Sequence, residues 1–244
     1  MSQKPLIWAH RGASGHAPEN TLPAFRLAAE MGADGVELDI QFTKDGEIVV
    51  CHDETVDRTS SAKGWLKNYT LKELKQMDFS YGNLAYEGAR IPTLKEVLDL
   101  LKPTGLTVNI ELKTGIFFYE GIEEKTLELV RREGWADRII YSSFNHETLR
   151  KIHRLDPGAK TGMLYGDGLV DVVPYARSLG VSALHPVLYN LQYPGFMETC
   201  REAGMDVNVW TVNEAEYIEL CRKTGVHAII TNYPDKARQV LGAD

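Results

Sequence analysis

Cysteine is scarce and unpaired in this chain: Cys51, Cys200 and Cys221 are far apart and odd in number. That pattern supports neither a disulfide framework nor a thiolate metal site, and it is ordinary for a reducing compartment. Long apolar runs are missing too. No stretch approaches the ~20 residues needed to cross a bilayer, so stable membrane insertion is not expected. Positive charge is not in excess, with 27 Lys and Arg against 34 Asp and Glu and a net charge of −7. Without a basic stripe on any candidate helix, the electrostatic footprint of a nucleic-acid binder is missing. Only "MSQKP" precedes the first apolar run, which leaves no room for a charged leader with an apolar core. The expectation is a cytoplasmic protein, monomer or homodimer, acting on a small molecule.

What is present alternates. Short β-branched runs occur at 5–10, 35–42, 106–113, 138–144, 160–165, 182–189, 206–212 and 227–232. Between them lie segments of helical period, such as Leu94, Val97, Leu98, Leu101 and Ile122, Thr126, Leu129, Val130. Capping-box spacing opens several of these, at Thr70 with Glu73, Thr93 with Glu96 and, in a looser form, Asn213 with Glu216. Asn20 or Thr21 caps the first helix. Strand then helix, repeated eight times, predicts a (β/α)8 TIM barrel spanning residues 1–244 as one catalytic unit. The gap between the second and third strands is too long for one unit. It holds a further run at 47–53, joined by the hairpin signal Lys44-Asp45-Gly46, and then a Gly-, Ser-, Tyr- and Lys-rich stretch. Residues 54–90 are read as an insertion over one end of the barrel.

Charges inside barrel strands need a reason, because such strands are normally near-continuous apolar runs. The second strand carries Glu37 and Asp39, and the third carries Glu111 and Lys113. Each pair is spaced i, i+2 and therefore shares a face. Crowded carboxylates repel unless a cation neutralises them. Three of them with no cysteine partner form a hard oxygen set that suits one divalent cation, Mg²⁺ or Ca²⁺. The alternative is a set of solvated strand-end charges, with Lys113 ion-paired to a neighbour. His10 and His52 close neighbouring strands, where barrel active sites gather, and imidazole suits proton transfer near neutral pH. Arg11 and Lys113 add the fixed positive charge that a phosphoryl group calls for. Phe144 and Trp210 are placed to pack on the carbon side of a substrate or to cap the core. His16 reads as a surface-loop residue, and His146, His153, His185 and His227 as structural or exposed. Gly12 is read as removing bulk where the chain turns away beside the substrate.

The stretches "HRGASGHAPENTLPAF", "GADGVELDIQFTKDGEIVVCHD", "RTSSAKGWLKNYTLKEL", "IPTLKEVL", "NIELK", "YSSF" and "VNVWTVN" together resemble the glycerophosphodiester phosphodiesterases, in particular the bacterial cytosolic type. The resemblance covers nearly the whole chain. It implies a TIM barrel with a small insertion, a divalent metal, and hydrolysis of glycerophosphodiesters such as glycerophosphocholine or glycerophosphoethanolamine to sn-glycerol 3-phosphate and an alcohol. Carried over by position, Glu37, Asp39 and Glu111 fall on metal ligands, His10 and His52 on the acid/base pair, and Arg11 and Lys113 on phosphate contacts. Glu19 falls on a motif position without an assigned role, and Asn232 stands where many relatives have Asp. Two rivals are a lysophospholipase D-like enzyme, which a long apolar rim in the insertion would favour but its polar sequence does not offer, and a catalytically silent phosphodiester-binding barrel, against which the three carboxylates, two histidines and two cations argue.

Overall fold

The computed structural model describes residues 4–242, so Met1–Gln3 and Ala243–Asp244 of the expected 1–244 unit lie outside the described residues. The strands are β1 Leu6–His10, β2 Gly35–Phe42, β3 Ile48–Val50, β4 Thr107–Leu112, β5 Ile139–Ser143, β6 Thr161–Tyr165, β7 Ala183–Pro186, β8 Asp206–Val209 and β9 Ala228–Thr231. All except β3 are parallel to their neighbours, and β1 pairs with both β9 and β2, which closes an eight-stranded barrel. The (β/α)8 expectation holds. The helices are α1 Leu22–Glu30, α2 Leu71–Leu74, α3 Leu94–Leu101, α4 Ile122–Arg132, α5 His146–Leu155, α6 Val172–Leu179, α7 Phe196–Glu202, α8 Ala215–Thr224 and α9 Pro234–Leu241. No described helix is long and apolar enough to cross a membrane.

Period two divides each barrel strand between two environments. Val36, Leu38 and Ile40 of β2, with Val108, Ile110 and Leu112 of β4, face outward and are buried together with Phe25 of α1 and Leu94, Val97, Leu98 and Leu101 of α3. The β6–β9 side does the same against the later helices, through Met163, Leu184, Val207 and Ile229. The alternate residues fill the barrel interior. Trp8 is packed with Ala228 and Ile230, and His185 lies in the space that Gly162 leaves: a Cβ on Gly162 would stand 2.2 Å from the imidazole. Inside this barrel aromatic, small and polar side chains mix with a few aliphatics such as Ile230, whereas the large aliphatic clusters lie between sheet and helices.

Local signals account for most element ends. Thr70 and Thr93 form complete capping boxes with Glu73 and Glu96. Thr21 caps α1 by accepting from the Ala24 amide, and Asn20 is used elsewhere. One expectation is corrected: Asn213 does not cap α8, whose first flanking residue is Glu214. The Asn213 Oδ1 accepts instead from the Thr231 hydroxyl and the Asn232 amide. It ties β9 to the preceding loop.

The Asp45-Gly46 turn reverses β2 into β3, which pairs with it antiparallel from Ile40 to Phe42. Gly46 has φ +75°, the left-handed conformation such a turn requires. The chain then passes through 54–90, where Val56, Leu66, Leu74 and Phe79 are buried with Val49 and Cys51 of the hairpin and Ile91 beyond.

Candidate active site

The ends of β1, β2 and β4 bring the charged residues together. Their register sets His10 opposite Glu37, Glu37 opposite Asn109 and Asp39 opposite Glu111. Glu37, Asp39 and Glu111 each offer one carboxylate oxygen such that the three atoms lie within 4.8 Å of one another, all in buried side chains. Arg11 and Lys113 lie against them: Arg11 Nε is 3.3 Å from Asp39 Oδ2, and Lys113 Nζ is 3.2 Å from Glu111 Oε1. Both cations are thus engaged with carboxylates, as the alternative reading anticipated for Lys113. Three negative charges against two positive leave one uncompensated.

That imbalance shows in the proton affinities. Burial, reinforced by the charges of Asp39 and Glu111, holds Glu37 well above the ordinary carboxylate range. Burial and Asp39 likewise push Glu111 up. Burial also works to raise Asp39, but Arg11, His52, Lys113 and the Asn20 amide outweigh it and leave it low. The Asn20 amide donates to Asp39 Oδ2 at 2.9 Å, while the buried Asp39 Oδ1 has no hydrogen-bond partner.

The turn after β1 is strained in a useful way. Arg11 has φ +55° and Asn20 φ +57°, a region that L side chains adopt at a cost and that clusters at functional sites. Here it aims the Arg11 amide at Glu37 Oε2, 3.0 Å away, and the Asn20 side chain at Asp39. Gly12 follows with φ +78°, and its close approach is to α1: a Cβ there would stand 2.6 Å from the Ala24 carbonyl carbon. Its lack of bulk lets the chain turn here and pack directly against α1.

The two histidines are held differently. His10 Nδ1 lies 2.6 Å from Asn232 Oδ1, so Nδ1 carries the hydrogen and Nε2 is bare, 3.9 Å from Glu37 Oε2. Burial and the adjacent Arg11 lower the His10 pKa to about 4, against the opposing pull of the Asn232 bond. His52 Nδ1 lies 2.7 Å from Asp53 Oδ1. Asp53 in turn receives Arg58 Nε at 2.8 Å and Nη2 at 2.9 Å, and Arg58 donates to both Glu19 oxygens at 2.7 Å. Glu19 also accepts from Arg11 Nη1 at 3.0 Å. The hydrogen bonds from Arg58 hold the Asp53 carboxyl far below its usual range. Burial would raise Glu19, but the Arg58 bonds and the charge of Arg11 bring it down. Beneath His52, the Gln41 amide donates to the backbone carbonyls of Cys51, His52 and Asp53 at 2.9, 3.2 and 2.8 Å, and its oxygen accepts from the Tyr119 hydroxyl.

A cavity of about 140 Å³ is lined by His10, Arg11, Glu37, His52, Asn109, Glu111, Phe144, Leu164, Trp210 and Ile230. The Phe144 and Trp210 rings meet edge to face at 5.5 Å on its rim. Both polar side-chain atoms of Asn109, Nδ2 and Oδ1, are buried without a hydrogen-bond partner. A larger depression of about 590 Å³ lies at the opposite end of the barrel, around Leu6, Asp206 and His227, away from the carboxylates. The remaining histidines lie outside the charged cluster. His16 is on the surface beside Asp235, His227 is exposed beside Asp206, and His146 bonds to the Leu164 carbonyl and the Tyr175 hydroxyl. His185 is buried in the barrel, and His153 packs against Gly180.

Asn20, Gln41, Asp53, Arg58, Asn109 and Asn232 were missed as site residues. For two of them a signal was present: Gln41 continues the i, i+2 series of Glu37 and Asp39, and Asn109 precedes Glu111 on the same face.

A model of the glycerophosphoryl diester phosphodiesterase family matches residues 10–236. The chain belongs to that family. It is 45% identical to a glycerophosphodiester phosphodiesterase of Caldanaerobacter subterraneus subsp. tengcongensis over 95% of this chain and 96% of that one. With one from Bacillus altitudinis it shares 38% identity over 96% and 97% of the two chains. Among solved structures it is similar to a phosphodiesterase of Oleispira antarctica in complex with the product sn-glycerol 3-phosphate, with a TM-score of 0.89 at 29% identity, covering 98% of this chain and 97% of the other. A glycerophosphodiester phosphodiesterase from Thermotoga maritima gives a TM-score of 0.81 at 28% identity, over 96% and 97%. The matched span contains β2 to β9 and residues 54–90.

Proposed function

We propose that this protein hydrolyses glycerophosphodiesters, such as glycerophosphocholine and glycerophosphoethanolamine, to sn-glycerol 3-phosphate and an alcohol, using one divalent cation. The observation that carries the reading is the convergence of Glu37, Asp39 and Glu111 on one point beside two histidines. The residues fit such an ion. Asp39 Oδ1 is buried without a partner, two of the three carboxylates are pushed toward protonation, and the donor set is hard oxygen, which suits Mg²⁺ or Ca²⁺. An ion held by Glu37, Asp39 and Glu111 would polarise the phosphate oxygens and offset the excess negative charge of the cluster.

The chain's own groups supply the rest. Arg11 and Lys113 bind and orient the phosphoryl group as its oxygens gain charge. The bare His10 Nε2 accepts the proton of the nucleophile, a water or the glycerol 2-hydroxyl. His52, as the imidazolium with its Nδ1–H on Asp53, gives its Nε2 proton to the departing alkoxide and is left as the neutral Nδ1–H ring. Phe144 and Trp210 pack on the carbons of glycerol and keep water from that side. The insertion 54–90 stands over this end of the barrel as a subdomain of the same catalytic unit.

The test is turnover of glycerophosphocholine, coupled to detection of glycerol 3-phosphate, with EDTA and with added Mg²⁺ or Ca²⁺. Activity should vanish with EDTA and return with metal, and His10→Ala and His52→Ala should each lose about 10²-fold or more. Tight diester binding without turnover would favour the silent barrel. A second reading has support of its own: Trp65, Tyr81 and Leu84 of the insertion and Ile116 and Phe118 after β4 are exposed. Exposed apolar side chains of this kind suit a lysophospholipase D-like preference, which faster turnover of lysophospholipid micelles would establish.

A further inference from the structure

We infer that Arg58, clamped between Glu19 and Asp53, is a positioning residue that fixes the orientation of His52 and makes the insertion part of the reaction machinery. The inference rests on the proposed proton transfer by His52. Its ground is geometric. Three segments of the chain meet at one guanidinium: the loop after β1 through Glu19, the end of the hairpin through Asp53, and the insertion through Arg58 itself. Arg58 makes a two-pronged contact with each carboxylate, four donor-to-oxygen distances between 2.7 and 2.9 Å. Planar fork geometry of that kind constrains direction as well as distance.

The carboxylate that Arg58 fixes is the one that holds His52. Asp53 Oδ1 lies 2.7 Å from His52 Nδ1 and, accepting only, it takes the Nδ1 hydrogen and turns Nε2, the nitrogen that gives up the proton of the imidazolium, toward the cavity. The backbone under His52 is already clamped by Gln41. What remains free is rotation of the side chain about χ1 and χ2, and that is the freedom the Asp53–Arg58–Glu19 chain removes. Because Glu19 also accepts from Arg11, the same chain ties the proton-transferring imidazole to the cation expected at the phosphate. Glu19 thereby gains a role in the site: it is the anchor of the relay on the barrel.

The experiment is a double-mutant cycle on the full chain loaded with Mg²⁺, assayed on glycerophosphocholine. Arg58→Ala should lower kcat by about 10²-fold, comparable to losing an aligned proton donor, while KM moves by less than about threefold. In the His52→Ala background the same substitution should cost nothing further, because a residue that acts through His52 has nothing left to position. Millimolar guanidinium should restore part of the kcat of Arg58→Ala, and Arg58→Lys, which lacks the fork, should remain impaired. Asp53→Asn should repeat the pattern, giving a second route if Arg58→Ala loosens the insertion; circular dichroism and thermal melting report that loosening. Multiplicative losses in the cycle, or a rise in KM at unchanged kcat, would overturn the inference while leaving His52's role intact. Normal turnover in His52→Ala would overturn both.

Discussion

Two asparagine side chains tune the charge of their neighbours at this site, one as donor and one as acceptor. Asn20 donates to Asp39 and so favours its charged form, and Asn232 gives His10 Nδ1 a neutral acceptor. The second choice matters for the reaction. A neutral partner orients the imidazole without adding negative charge, so burial and Arg11 prevail and His10 stays unprotonated to about pH 4. Replacing Asn232 with Asp places a negative charge within hydrogen-bond reach of the ring, which favours the protonated form. The acid limb of the kcat/KM profile should then move to higher pH by about 1–2 units. A profile with its acid limb unmoved would show that His10 is not the group titrating there.

At the scale of elements, the paired i, i+2 charges were readable because a β-strand has only two faces, and a buried charge on either needs a partner. β2 carries the motif further than the charged residues alone disclose, since Glu37 lines the cavity, Asp39 joins it in the carboxylate cluster and Gln41 reaches the hairpin that bears His52. The hairpin, two complete capping boxes and the buried faces of α3 and α4 were equally legible, each resting on residues close in sequence. What stayed hidden depends on contacts across the fold. Asn213 carries a cap-like spacing, yet its oxygen is taken by Thr231 and Asn232 on another strand. Arg58 lies 39 residues from Glu19, and no local period joins them. The insertion illustrates the energetic side: its small apolar cluster of Val56, Leu66, Leu74 and Phe79 is separate from the barrel's two large ones. Leu74→Ala should cost about 2–5 kcal/mol locally, and hydrogen exchange should accelerate across 54–90 while the barrel strands keep their protection. Uniform acceleration across the barrel would show that the insertion does not open independently.

For the molecule as a whole, the polar barrel interior sets the response to acid. Burial, with the charge of His227 adding to it, lowers the pKa of His185 to about 3 from an ordinary 6.5. The folded state therefore binds fewer protons than the unfolded chain between those values, and stability falls as pH drops through this window. By pH 5 the loss from His185 alone is about 2 kcal/mol, and His10, also lowered by burial, acts in the same direction. Urea unfolding of the wild type should weaken from pH 7 to pH 5, and His185→Gln, although less stable at pH 7 through loss of its contact with Asn208, should show a shallower decline. Parallel curves for the two proteins would locate the acid sensitivity elsewhere.

The closed strand order has one more consequence. Every ionisable group around the cavity, from His10 to Lys113, is supplied by β1, β2, the hairpin with its insertion, and β4, whereas β5 to β9 bring Phe144, Leu164, Trp210, Ile230 and Asn232. The chain is thus written in two consecutive passages, one for reactivity and one for fit. Apolar variation at Phe144, Leu164, Trp210 and Ile230 can reshape the wall that meets the substrate while the charge balance of the reaction centre stays as it is.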